Sequence, residues 1–347
     1  MKFRTMEPGG MDSLMFNKQA IVIDNGSGVI KAGFAAEEKP KMVFNNYVGR
    51  PKYSKPMLTN HDQDLYLGSE WDRNKGLLRL SHPMSHGNID NWEDMEKIWG
   101  HIFKEMKVSA SQHPILISEP IENSMNNRSK TAEAFFESMG VPALYFQPQP
   151  ILSLYAQGKT TGFVLDCGDG VTQWVPIVDG FAITGACNRI DLGGRDITEY
   201  LMLLLKRAGY NFHTSAEFQI VKNMKEKIWT ATVSPLKEED YKEKNKHADI
   251  EYFLPDGGKV NLRTEHMEAP EILFTPQKIG LEYPGIPEML INCVMKCDID
   301  LRSTIFSNLI VSGGTTVLKK FSERLHKSIV KESPKNMKIK LLAPKNR

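Results

Sequence analysis

The sequence is short of most features that would set it apart from an ordinary globular protein. Its 347 residues include four cysteines, at 167, 187, 293 and 297. Their spacing makes neither a CxxC zinc knuckle nor a disulfide framework, and it points to a reducing compartment. Charge of one sign is missing too: 44 Lys and Arg face 42 Asp and Glu, a formal net charge of +2. That balance gives no reason to expect a nucleic-acid partner or an anionic membrane surface. The basic residues between Lys319 and Lys345 are interrupted by acidic ones and read as helix surface. No apolar run is long enough to span a bilayer, and the start, with Met1, Met6, Met11 and Met15, holds none of signal-peptide length. Without a secretion signal, Asn25-Gly26-Ser27 and Asn127-Arg128-Ser129 are chance matches to the glycosylation pattern. No GxxxxGK[ST] stretch occurs, which excludes a P-loop, and Gly26-x-Gly28 carries Lys31 where a Rossmann loop needs its third glycine.

With 41% hydrophobic and 25% charged residues, the chain is long enough for two domains. Residues 1–17 read as a loose tail. Residues 20–23 predict a buried strand stopped by Asp24 and a glycine turn, with Lys31–Ala35 as the returning strand. The same order recurs at residues 163–166, where Asp166 is followed by Cys167-Gly168-Asp169-Gly170 and an extended return over Val171–Val178. A strand, an aspartate, a glycine turn and a strand thus occur twice, which predicts two related α/β halves facing a cleft. Residues 48–67, polar and broken by prolines, predict a small, mobile, exposed element. Apolar spacing predicts helices over 91–107, over 127–139 with Ala132, Phe135, Phe136 and Met139 inward, and over 150–157, 197–205 and 217–229. A longer one over 286–305 should break near Asp298. Strands are expected at 115–117, 144–146 and 309–311, a hairpin around 254–258, and a solvated segment at 234–248.

Glycines let a turn take positive φ and bare its amides, so Gly26-Ser27-Gly28 and Gly168-Asp169-Gly170 suit an anion such as phosphate. Asp24 and Asp166 would repel phosphate directly. Across a cleft they suit the water shell of Mg²⁺, which prefers oxygen ligands and keeps its waters. Lys31 would offset phosphate charge as a point cation. Ser312-Gly313-Gly314-Thr315-Thr316 forms a third strand–glycine junction, expected to bring a helix N-terminus to the ligand. Elsewhere, His82 and His86 are four apart, but Pro83 and Gly87 break the helix that a metal pair would need. Cys293, Cys297, Trp92 and Trp99 read as core packing. Lys225 and Glu226 fit either a nucleotide edge or plain helix decoration.

These residues resemble the actin family. Asp24-Asn25-Gly26-Ser27-Gly28 with Lys31-Ala32-Gly33-Phe34 is similar to its first phosphate loop, and Leu165-Asp166 with Gly168-Asp169-Gly170-Val171-Thr172 to its second. Gln149 before Leu152-Ser153-Leu154-Tyr155-Ala156 is similar to the family's hinge helix. Ile190-Asp191-Leu192, Gly194-Arg195-Asp196 and Ser312–Thr316 extend the match, which runs from about residue 18 onward. The resemblance implies an actin-like ATPase fold, of the duplicated actin/Hsp70/hexokinase type around a nucleotide cleft. It implies a first, outer domain over 18–156 with a small subdomain at about 46–82, and a second, inner domain over 157–347 with an inserted subdomain at about 193–281. ATP or ADP with Mg²⁺ (or Ca²⁺ in vitro) would be bound by Asp24, Gly26, Ser27, Gly28, Val29 and Lys31 from one side. Asp166, Gly168, Asp169, Gly170 and Val171 would act from the other, with Gly194, Lys222, Lys225, Glu226, Gly313, Gly314 and Thr315 around the adenosine. Asp24 and Asp166 would hold the metal through water. Gln149, Asp166 and Gln173 are the implied catalytic residues, by positioning and electrostatics rather than a covalent intermediate.

Within the family, Tyr47–Lys52, Tyr210-Asn211-Phe212-His213, Tyr252–Gly257 and Asp298–Asn308 resemble the actin-related proteins of the dynactin filament. That implies self-association into a short filament, dynactin subunits and indirectly dynein as partners, no nucleic acid, no direct membrane insertion, and a place in the cytoplasm and cytoskeleton. A divergent conventional actin, or an ATP-binding scaffold with negligible hydrolysis, remains open beside it. Two departures stand out. Gln173 replaces the family's histidine; an imidazole relays a proton near neutral pH, whereas an amide only holds or polarises water, so slow hydrolysis is expected. The family also continues beyond Ala343-Pro344 into a further C-terminal part of the outer domain, which this sequence, stopping at Arg347, is expected to lack.

Overall fold

A computed structural model describes residues 18–52, 65–68, 77–232, 250–335, 337–345 and 347. The chain divides into two compact units, one of residues Met1–Asn74 and Ser81–Pro148, the other of Lys75–Leu80 and Gln149–Arg347. The division falls before Gln149, so helix Gln149–Tyr155 belongs to the second unit and not to the first.

The first unit is built on a five-stranded sheet in the order Met42–Asn45, Val29–Phe34, Ile21–Asn25, Ile115–Glu119, Leu144–Pro148. Ile21–Asn25 and Val29–Phe34 form an antiparallel hairpin, and Ile115–Glu119 and Leu144–Pro148 add in parallel on the other side. Ile21 and Ile23 bury completely. Helix Trp92–Met106 covers the sheet: Asn91 caps its start by accepting from Asp94 N, and Lys107 ends it in the left-handed region at φ 59°. Its stripe of Met95, Ile98, Trp99, Ile102, Phe103 and Met106 is buried, as the 3.6-residue period predicts. Trp99 packs on Phe135 with ring centroids 4.8 Å apart.

One expectation fails in this unit and a second is met only in part. The helix of residues 127–139 is an α-helix over Met125–Glu133 that runs into a π turn at Ala134–Ser138. Its buried stripe is Asn127, Thr131, Ala134 and Phe135, while Phe136 is 47% exposed. Polar residues are buried there because their bonds are met: Asn127 Nδ2 donates to Asn123 Oδ1 at 3.0 Å and the Thr131 hydroxyl to Asn127 O at 2.8 Å. The segment 48–67 is mixed where it is described: Pro51 and Lys52 are exposed as expected, but its outer ends are not. Val48 is fully buried, Leu67 nearly so, and Gly49 and Tyr66 exchange backbone hydrogen bonds at 3.0 and 2.9 Å. Its middle, residues 53–64, lies outside the described residues.

The second unit repeats the scheme. Its sheet runs Phe181–Ala182, Thr172–Val178, Gly162–Cys167, Leu309–Ser312, Leu341–Leu342, with Asn188–Ile190 also paired to Thr172–Val178. Again the first strand is central, hairpin-paired on one side and parallel-paired on the other. The repeated loops in the sequence therefore mark a repeated strand order. Phe163, Leu165, Trp174, Leu205, Leu290, Phe306 and Phe321 sit in its core at 0% exposure. The long apolar stripe after residue 286 is two helices, Ile286–Lys296 and Ile299–Phe306. At the break Arg302 donates to Cys297 O at 3.0 Å and Met295 O at 2.6 Å, satisfying carbonyls that a helix end leaves open. The expected solvated segment 234–248 lies outside the described residues. Among the described residues no helix is long and apolar enough to cross a membrane.

Candidate functional site

In the first unit the loop residues sit at the turn of the hairpin. Asp24 lies opposite Lys31 in register. Its Oδ2 accepts from Lys31 Nζ at 2.9 Å and its Oδ1 from the Ser118 hydroxyl at 2.7 Å. Ser118 also accepts from Asn25 N at 2.9 Å, and Asn25 Oδ1 accepts from the Trp99 indole at 3.2 Å. The Ser27 hydroxyl, almost buried, accepts from Gly87 N at 2.9 Å. Asn46 ties the turn from behind, its Nδ2 donating to Gly26 O and its N to Gly28 O, both at 3.0 Å. Val29 opens the return strand beside Asn45. Ser118 and Asn46 carry no motif; the position of Ser118 just past the apolar run Ile115–Ile117 is the one signal that could have found it.

In the second unit the residues expected around the nucleotide converge, with one exception. Gly168 O accepts from Gly194 N at 3.0 Å and from the Thr315 hydroxyl at 2.7 Å. Gly194 O accepts from Lys225 Nζ at 2.5 Å. The Asp169 carboxylate lies 3.9 Å from Lys222 Nζ and 3.7 Å from Arg195 Nε. Gly170 and Val171 close the turn and are buried, and Gly314 is exposed. Glu226, one residue past buried Lys225, faces solvent and reaches this group only as a negative charge acting on Lys225. Asp166 pairs in register with Gln173 across the hairpin. Gln173 Nε2 donates to Asp166 Oδ2 at 3.2 Å and to Gln149 Oε1 at 3.3 Å, which unites the three expected catalytic residues.

Two mechanical expectations need correcting. Neither Gly26 nor Gly168 has positive φ. Gly26 is required for close approach, since a Cβ there would stand 2.5 Å from Val29 O. The Gly168 amide is used inside its own turn, donating to Val171 O at 2.9 Å. At the third junction Gly313 does have positive φ, 88°, but it leads into a short 3₁₀ turn over Gly314–Val317; the α-helix begins at Phe321. No α-helix N-terminus stands at that junction, because Leu318, buried at 5% exposure, turns the chain into the core first.

The donor set fits an anionic ligand. Lys225 is 3% exposed, and its ammonium rests on a neutral carbonyl; burial lowers its pKa to about 8, against the pull of Asp169. A nearby anion would restore the charge. The backbone is closed tightly around this place: a Cβ on Gly193 would meet Asp169 O at 2.5 Å, and one on Gly194 the Thr315 hydroxyl at 2.8 Å. Cys167 is no nucleophile, because burial pushes its thiol up to about 12 and Thr172 bonds the sulfur at 3.0 Å. Among the described residues no three His, Cys, Asp or Glu gather around a common point. His82 stacks edge-on against Tyr47, centroids 4.3 Å apart.

The family model described as Actin matches residues 15–347. A protein of Neurospora crassa described as "Actin-like protein" is 45% identical over 334 residues, covering 94% of this chain and 87% of its own length.

Proposed function

The chain belongs to the actin family and has the actin/Hsp70-type α/β fold, and on that premise we propose that it is a cytoskeletal filament protein of the centractin kind. As an actin-related protein it binds ATP or ADP with Mg²⁺. The finer reading places it in a short ATP-bound filament in the cytoplasm, with dynactin subunits as partners and dynein-driven transport along microtubules as its purpose. Support comes from the stretches Tyr47–Lys52, Tyr210–His213, Tyr252–Gly257 and Asp298–Asn308.

The observation that carries the nucleotide part is the convergence of Gly168, Asp169, Gly194, Lys222, Lys225 and Thr315 in one place. ATP supplies the phosphate chain and, with Mg²⁺, the hydrolysable bond. In the second unit Lys222 and Lys225 would offset phosphate charge and Asp166 would hold waters of an ion shell; in the first unit Lys31 and Asp24 have the matching chemistry. Gln149 and Gln173 orient water without accepting its proton, since an amide is not a base at neutral pH. The chain is therefore first a nucleotide-clamped structural protein, with hydrolysis slow. A scaffold with negligible turnover is favoured over conventional actin by this amide pair.

Affinity purification of the native complex tests the reading. Recovery of dynactin subunits supports the centractin assignment; their absence alongside conventional actin-binding proteins supports a divergent actin.

A further inference from the structure

Trp229 ends helix Ser215–Ile228 as its C-cap residue, with φ −66° and ψ 130°. The chain after it is pinned: Thr230 bridges to Lys319, and Ala231 N donates to Lys319 O at 2.9 Å. The ring is thus held from both ends, and only 8% of the residue is exposed. Lys225, one helical turn earlier, places its ammonium 4.8 Å from the ring centroid, and the same ammonium rests on Gly194 O. Trp229 therefore borders the Gly194–Lys225–Asp169 cluster. Among the described residues its indole N–H has no hydrogen-bond partner. A buried donor without an acceptor is costly and rare. The contrast with Trp99 and Trp174 is direct, since their indoles donate to Asn25 Oδ1 and Ile286 O, both at 3.2 Å.

We propose that Trp229 is a positioning residue of the nucleotide site, its indole N–H taking a neutral acceptor atom on the nucleoside part of the bound nucleotide. A phosphate chain suits the cations Lys222, Lys225 and Arg195. An uncharged donor on an apolar ring suits a neutral ring nitrogen or hydroxyl. The ring also screens Lys225 from water by a cation–π contact, which keeps that ammonium directed at the cluster. This inference rests on the nucleotide reading above.

The test uses the full chain, its Trp229→Phe variant, and three probes: ATP, adenosine and inorganic tripolyphosphate. Affinities come from the ligand-dependent rise in melting temperature, so that packing lost with the smaller ring cancels between liganded and free variant. The expected result is a roughly three- to tenfold weakening for ATP and adenosine and none for tripolyphosphate. In the native chain, ATP and adenosine should also shift one indole N–H resonance that tripolyphosphate leaves in place. That measurement decides the matter if the variant does not fold. Equal weakening of all three probes, unchanged ATP binding in the variant, or no shifted indole resonance would each overturn the proposal while leaving nucleotide binding intact. Failure of the native chain to bind ATP at all would overturn the nucleotide reading and this inference with it.

Discussion

Gln173 lies directly across the hairpin from Asp166 and donates its side-chain N–H to that carboxylate at 3.2 Å. At the corresponding place in the first unit, Lys31 lies across from Asp24 and donates at 2.9 Å. One strand–turn–strand design has thus been given a cation in one copy and an amide in the other. The cation offsets charge, whereas the amide fixes the carboxylate and a neighbouring glutamine without being able to take a proton. The first prediction rests on that difference. Gln173→His should speed single-turnover phosphate release, by up to about a hundredfold if a general base is what the native site lacks. Equal rates in the two chains would show that proton transfer does not limit the step.

Lys31 is half exposed and its ion pair with Asp24 is open to water. A pair of that kind contributes less than about 1 kcal/mol to folding. Lys31→Met should therefore leave the denaturant midpoint nearly unchanged while weakening ATP binding roughly tenfold or more. A large loss of stability with unaltered affinity would instead make Lys31 a structural residue.

Glycines that look alike in the sequence should behave in opposite ways. Gly313 has φ 88°, and a Cβ there would stand 2.1 Å from Cys167 O; a Cβ on Gly314 would meet open space. Gly313→Ala should cost more than about 2 kcal/mol in urea unfolding, and Gly314→Ala should lie close to the native chain. Comparable values for the two would mean that the backbone at this junction relaxes freely.

Much of this was legible from residue order. The hairpin aspartates, the capped helix at Asn91–Lys107 and the break at Asp298 follow from apolar period and turn residues, which act over a few positions. The features that escaped depend on partners far apart in the chain. Ser118 matters because strand pairing carries it to Asp24, and Asn46 because its side chain reaches back to Gly26. Asn127 and Thr131 are buried because neighbours satisfy them, which a reading that sends polar residues outward misses. Trp229 reads as one more apolar position in the sequence; only the absence of an indole acceptor among the described residues singles it out.

Lys225 makes the site sensitive to pH in a definite direction. Burial lowers its folded pKa to about 8 from the ordinary 10.5. Above pH 8 the unfolded chain holds this proton more firmly than the folded one, so the group's contribution to stability rises with pH up to about 10.5. Below pH 8 both states are charged, and its contribution is a constant penalty. Nucleotide affinity should run the other way. An anionic ligand beside Lys225 raises its pKa toward the ordinary value, so above pH 8 binding takes up a proton and weakens as pH rises, by at most about tenfold per pH unit. Lys225→Met removes the titrating group and should flatten that slope while lowering affinity throughout. Equilibrium titrations with ATP at a series of pH values on both chains would show it. If the native chain and the variant lose affinity in parallel above pH 8, the proton taken up on binding belongs to some group other than Lys225.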